Sequence, residues 1–491
     1  MAAPFLTYHE PTTNQILILL SFLAFLPLSH FVASKIFRAG LIGQIILGII
    51  YGVPLANILL HQWQETILAL GYLGLIIIVF EGGLTTRLDL LKKCFGISVI
   101  CALTGLLTPI ALSIALLSAG FGYEIKESFA IGAALSSTSL GTTFGVIQEA
   151  DVGNGKGGMV DTRVGTVLVS AALIDDVVGL VMAKVIAELG GDGADLGWTI
   201  GRPVLVAFCL SAITPFFVRG TRLVLPFLRP TWKKFTWAQR NRTTVNFATL
   251  VVTLAAFSAV AAYAGTSILL GAYLAGCYLN SLSRKPSDTN MVINNEPKAE
   301  TYSSSAENET ELKGSTYVQT FTETVGDVHE HILSAFFFAS IGFAVPFLDL
   351  WTGKAIWRGI VYSILMIFSK LLVGIWLPVI DIFASPKSAS TIPTTESLST
   401  PVTEIPGSTS RLARISWAPA LILGLAMVAR GEIGLLIIQL AYNQSGIVSE
   451  EGFVTGIWAI LLNTIIGPMA VGLYIKLKSR KGKTLSLGQW R

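Results

Sequence analysis

The chain has 491 residues, of which 52% are hydrophobic and 13% charged; soluble domains carry roughly 25% charged residues, so a water-soluble fold cannot hide this much apolar surface. A formal net charge of +4 says little about partners as a total, and nothing calls for nucleic acid or a cofactor. The four cysteines, Cys94, Cys101, Cys209 and Cys277, lack metal-ligand or CxxC spacing and read as packing residues.

Apolar runs recur almost end to end, each long enough to cross a hydrocarbon core of roughly 30 Å. They predict thirteen helices, at 14–33, 41–59, 66–84, 95–119, 128–148, 164–189, 199–218, 243–263, 266–281, 331–351, 356–380, 415–440 and 450–476. Gly265 divides the run 243–281 into two. The first residues lack a basic n-region, so the first apolar segment reads as a retained helix and not a cleaved signal peptide. Basic residues gather in alternate connections: Lys35 and Arg38, then Arg87, Lys92 and Lys93, then Lys156 and Arg163, and then the run from Arg219 to Arg242. Arg284 and Lys285 continue the pattern, with Lys387, Arg411 and Arg414 after them. This bias puts the N-terminus outside and the C-terminus in the cytosol. Residues 14–476 then form one transmembrane domain, followed by a short basic cytosolic tail, 477–491. Two cytosolic connections, 282–328 and the Ser/Thr/Pro-rich 381–413, hold too little apolar surface to offset the entropy of ordering them, which predicts disorder. Asn443 of Asn-Gln-Ser falls in an outside loop and is the candidate glycosylation acceptor.

Several charges interrupt these spans. Asp175 and Asp176 sit near the middle of the sixth helix, Lys370 near the middle of the eleventh. An ionised side chain at bilayer depth costs at least a few kcal/mol, and such residues mark ion or proton paths. Adjacent helix positions are about 100° apart, so one aspartate can face a cavity while the other faces a partner helix, for which Lys370 is available. In the fifth helix, Ser136-Ser137-Thr138-Ser139-Leu140-Gly141-Thr142-Thr143 reads as an unwound stretch. In the twelfth, Gly431 separates Arg430 from Glu432; these two lie too far round the helix to face each other, so each needs a partner elsewhere, as structural polar groups of the core. A pair of broken helices near the midplane is how several transporter folds surround an ion. Helices four to six stand seven positions before eleven to thirteen, and an odd spacing implies inverted-topology repeats. The expected fold is an all-α polytopic membrane protein with two crossed discontinuous helices. An aspartate that holds either a proton or a desolvated cation couples their fluxes by exclusive occupancy. One of these two aspartates, the hydroxyls of Ser137, Thr138 and Ser139, and freed carbonyls would supply the oxygen ligands.

In order along the chain, Ser136-Ser137-Thr138-Ser139, Leu173-Ile174-Asp175-Asp176-Val177-Val178-Gly179, Phe337-Phe338-Ala339-Ser340-Ile341-Gly342, Lys370 and Arg430-Gly431-Glu432 resemble the monovalent cation:proton antiporters, specifically their second large branch. Gly43-Gln44-Ile45-Ile46-Leu47-Gly48 and the segment from Leu75 to Leu84 support the resemblance, which runs from about 14 to 476 outside the two polar connections. It implies a homodimer, a scaffold domain with a mobile core, direct cation or proton binding by Asp176, pairing of Asp175 with Lys370, and electrogenic exchange of sodium, potassium or lithium for protons. Gln44 departs from the glutamate many relatives carry. An organic-solute transporter coupled to protons is the alternative reading, with a cation channel behind it; an enzyme is not expected. A plasma-membrane or organellar location fits equally.

Overall fold

Hydrocarbon offers the backbone no partners, so the apolar runs fold into helices that satisfy their own hydrogen bonds. The computed structural model describes residues 10–86, 94–139, 162–190, 196–233, 241–283, 317–383 and 417–480. Its first helices are α1 (Thr13–Phe37), α2 (Gly40–Tyr51), α3 (His61–Thr85) and α4 (Phe95–Ser113, extended by the π turn Ile114–Gly120). Then come α5 (Ile125–Ser136), α6 (Arg163–Leu189), α7 (Leu196–Lys233), α8 (Arg242–Ala264) and α9 (Ile268–Ser283). Helix α10 starts at Tyr317–Phe321, passes through π turns at Thr322–Gly326 and His329–Leu333, and finishes as Ser334–Phe343. Helix α11 (Gly353–Gly374) continues as Trp376–Phe383, α12 comes in two pieces, α12a (Trp417–Ala426) and α12b (Glu432–Gln439), and α13 is Glu450–Arg480. By length and composition eight described helices can each cross a bilayer: α1, α3, α4, α6, α7, α8, α11 and α13.

Several boundaries differ from the sequence expectation, for local reasons. Helix α2 stops at Tyr51, not 59, because Gly52 turns extended (φ −85°, ψ −176°) and Pro54 follows, which cannot donate to a continuing helix. Helix α10 stops at Phe343, three residues before Pro346, and only a 3-10 turn, Asp349–Trp351, follows. It also starts earlier than expected, so residues 317–328 of the connection expected to be disordered are helical. Their apolar side chains explain it: Tyr317, Val318, Phe321 and Val325 pack with Phe80, Leu84 and Leu250, and Phe321 meets Phe80 edge-on at 6.0 Å between ring centroids. Residues 381–383 of the second polar connection likewise belong to the helix that continues α11; 284–316 and 384–416 lie outside the described residues. Helix α7 runs well past 218, to Lys233, and so includes the first part of the basic run. Gly265, at φ 90°, closes α8 as a left-handed cap and separates it from α9.

The helices sort into two bundles. In one, α3 packs on α9 and α10, α2 on α1 and α10, and α8 on α9. In the other, α4, α5 and α6 pack against α11, α12 and α13. Helix α7 touches α6 of one and α9 of the other, and the bundles also meet where α6 lies on α9 and α12b on α10. At the α3–α9 crossing the backbones touch: a Cβ on Gly83 would stand 2.1 Å from the Tyr273 carbonyl oxygen, and one on Gly276 would stand 2.3 Å from that of Phe80. Glycine at both positions is what permits so close an approach.

Candidate functional site

The charges expected at bilayer depth all belong to the second bundle, where two interrupted helices cross. Helix α5 ends at Ser136, and Ser137 is extended (φ −63°, ψ 142°). Helix α12a ends at Ala426, and Gly431 is extended (φ −139°, ψ −157°) before α12b. The two breaks are joined directly, since the Ser139 N–H donates to the Ala429 carbonyl at 2.8 Å. A Cβ on Gly431 would stand 2.6 Å from that of Ser139, so the crossing requires glycine there. Residues 140–143 of the polar run lie outside the described residues.

A helix C-terminus leaves carbonyls without partners and carries partial negative charge. Here two cations meet successive carbonyls at the end of α5: Lys370 Nζ donates to Ser136 O at 2.6 Å, and Arg430 Nη1 to Ser137 O at 3.1 Å. Lys370 Nζ also donates to Thr138 Oγ1 at 2.9 Å and to Asp175 Oδ2 at 3.2 Å. An ammonium has three protons, and these bonds use all of them. Thr138 Oγ1 in turn donates to Asp175 Oδ2 at 3.1 Å. Lys370 and Asp175 are 0% and 2% exposed, so the pair is shielded from bulk solvent, and both geometry and charge must match there. The Thr138 hydroxyl is therefore committed to this pair.

Asp176 points elsewhere, as its helical position requires. It is half-buried, and its acidic neighbours are Glu432 in the first turn of α12b and Asp175. No cation pairs with it among the described residues. One turn along α6, a Cβ on Gly179 would stand 3.7 Å from Ser137 Oγ, which places that hydroxyl over the face carrying Asp176. Ser137 Oγ is buried with no hydrogen-bond partner among the described residues. Of the three hydroxyls expected to serve a cation, Ser137 is thus the one left uncommitted near Asp176, while Thr138 serves the Lys370–Asp175 pair.

Arg430 is fully buried, and its own carbonyl accepts from Thr464 Oγ1 of α13 at 3.0 Å. Beside it Asn463 Oδ1 accepts from Ser363 Oγ at 2.9 Å. Arg430 found its partner at the break in α5, as its position beside Gly431 requires, whereas the polar pair Asn463 and Thr464 on α13 is legible in sequence only as two polar residues inside an apolar span. Asn443 lies exposed in the π turn Leu440–Gln444. Among the described residues no group of three or more His, Cys, Asp or Glu side chains is arranged to hold a resident metal.

The likeness to known proteins extends along nearly the whole chain. Residues 18–477 match the family described as sodium/hydrogen exchanger, transmembrane. The Na(+)/H(+) antiporter of Enterococcus hirae is 24% identical over 441 residues, covering 89% of this chain and 91% of its own. The Na(+)/H(+)-K(+) antiporter GerN of Bacillus cereus is 21% identical over 432 residues, 88% of each chain. The solved structure of the sodium proton antiporter MjNhaP1 from Methanocaldococcus jannaschii superposes with a TM-score of 0.57 at 14% identity, covering 97% of this chain and 100% of that one, which establishes a shared fold.

Proposed function

The chain belongs to the sodium/hydrogen exchanger family, and from that premise we propose that it exchanges a monovalent cation for protons across its membrane by alternating access. One observation carries the assignment of roles. Lys370 is fully engaged by Asp175, Thr138 and Ser136, so Asp176 is the carboxylate left to alternate between proton and cation, with the Ser137 hydroxyl beside it. Sodium is the first candidate, with potassium and lithium after it; the relatives are named as sodium or sodium and potassium antiporters. Two aspartates in place of one favour electrogenic exchange.

The packing supports a finer architecture. Thirteen membrane helices, with the N-terminus outside and the C-terminus in the cytosol, form inverted repeats of α1–α6 and α8–α13 joined by α7. Exchanging the repeats turns the α3–α9 contact into α10–α2, and the α4–α5 contact into α11–α12; both members of each pair are present. The bundle of α4–α6 and α11–α13 is the mobile core, the other bundle is the scaffold, and the scaffold also carries the homodimer contact.

Reconstitution tests the proposal. In proteoliposomes holding a pH gradient, sodium, potassium or lithium chloride should dissipate the gradient with the wild-type protein and fail to do so with Asp176→Asn, which keeps the shape but cannot alternate between proton and cation. Indifference of the wild type to all three cations, or unitary conductance steps, would refute exchange.

A further inference from the structure

The glycines inside the helices do two different jobs. At Gly48, Gly83, Gly276 and Gly342 an added Cβ would meet a backbone carbonyl oxygen of the neighbouring helix at 2.0–2.3 Å, so these glycines let two backbones touch. Gly105 of α4 is different. An added Cβ there would meet side-chain ends first: Lys370 Nζ and Met427 Cε, each at 3.3 Å, and Asp175 Oδ2 at 3.5 Å. The missing side chain therefore leaves a methyl-sized space directly over the buried ion pair.

Polar contacts hold α4 at that distance from α11. Trp376 Nε1 donates to Thr104 Oγ1 at 2.8 Å, and Thr108 Oγ1, which donates to Thr104 O at 2.5 Å, lies 3.3 Å from the Ser369 carbonyl oxygen. These contacts bracket Gly105 on one helix and Lys370 on the other, so the two helices do not draw together to close the space. The three protons of the ammonium go to Ser136 O, Thr138 Oγ1 and Asp175 Oδ2. Breaking the pair means moving Nζ off Oδ2, and a buried side chain moves only where its neighbours leave room. Along α11 the flanks of Lys370 are filled by Met366 and Val373, both 0% exposed. Gly105 is the neighbour without a side chain, and Met427, unbranched and flexible, is the one that can yield.

We infer that Gly105 is a positioning residue of the exchanger: it leaves the space into which the Lys370 ammonium moves when a cation arriving at Asp176 breaks the pair with Asp175. The inference rests on the exchange reading of that site and deepens it. With the space open, Lys370 gives up a proton in each cycle in addition to the one held by Asp176, so two protons leave for one cation and the exchange carries charge. With the space filled, the pair stays closed, Asp176 alone exchanges, and one proton balances one cation.

The test is Gly105→Ala, with sodium-driven proton movement followed in proteoliposomes, currents recorded on supported membranes, and folding checked by detergent melting. Alanine is the better helix former and meets only mobile side-chain ends, so melting should not fall below wild type. The expected result is proton movement that persists while the accompanying current is lost. Placed in the Lys370→Gln protein, the same substitution should change neither quantity further, because it acts through the ammonium. An undiminished current in Gly105→Ala overturns the inference. So does a loss of both quantities that recurs, with lowered melting, in the Lys370→Gln background, which would mark Gly105 as a packing residue. A Lys370→Gln protein that carries the wild-type current removes the ammonium from the cycle and overturns the inference while leaving exchange at Asp176 standing. Wild-type protein inert to every alkali cation would instead overturn the exchange reading itself.

Discussion

Replacing Lys370 with glutamine removes the ammonium and leaves the Asp175 carboxylate buried with only the Thr138 hydroxyl for company. At 3.2 Å the attraction between two unit charges is worth roughly 5 kcal/mol at an effective dielectric constant of about 20. That gross figure agrees with the about 3–5 kcal/mol typically lost when one member of a buried pair is deleted. Combining Lys370→Gln with Asp175→Asn removes the uncompensated charge and should recover most of the loss. Recovery should be incomplete, because Lys370 also meets the Ser136 carbonyl, and an unmet buried acceptor costs about 1–3 kcal/mol. The assay is a double-mutant cycle on thermal melting in detergent, with currents recorded on supported membranes. Exchange should survive in the Lys370 variant, since Asp176 is untouched, but with fewer protons moved per cation if the arriving cation otherwise breaks the pair and releases a proton from Lys370. Additive stability losses together with an unchanged charge per cycle would show that Lys370 and Asp175 are not coupled and would refute the reasoning.

Arg430→Ala should lower melting by several degrees and impair transport, because it removes the donor to the Ser137 carbonyl and leaves a cavity beside Thr464; an equally stable, fully active variant would contradict this role. Gly276→Ala should force α3 and α9 apart, since the added methyl would fall 2.3 Å from the Phe80 carbonyl, and a yield and melting curve equal to wild type would disprove so tight a crossing. Glu127→Ala should destabilise the protein by about 2–3 kcal/mol in a melting assay, the typical worth of a hydrogen bond to a charged group together with the donor it leaves unmet: the Glu127 carboxylate accepts both the backbone N–H and the hydroxyl of Ser449, the residue preceding α13. Melting unchanged by that substitution would show that the α5–α13 link carries no load.

Much of the site was legible because charge at bilayer depth is conspicuous. Asp175, Asp176, Lys370, Arg430 and Glu432 stand out in apolar runs, the small hydroxyl residues announced the end of α5, and Gly431 announced the break in α12. Gly265 divided α8 from α9 for the same local reason. What sequence spacing could not supply was contact between residues far apart along the chain. Thr86 and Tyr273 are 187 positions apart, and neither is unusual in its own helix. Lys370 was readable as a partner for aspartate, but its bond to the Ser136 carbonyl depends on where α5 ends, which only the fold decides. The start of α10 was hidden for a different reason: Tyr317, Val318, Phe321 and Val325 are diluted by polar neighbours, and their helix is stabilised by packing on α3 and α8, not by its own composition.

The central claim is that proton and cation compete for Asp176, and the most direct measurement is the apparent KM for sodium in proteoliposomes across a range of pH. Competition predicts that KM rises in proportion to proton concentration on the acid side while the maximal rate at saturating sodium stays constant. A KM independent of pH, with a maximal rate that falls on acidification, would contradict exclusive occupancy of one carboxylate.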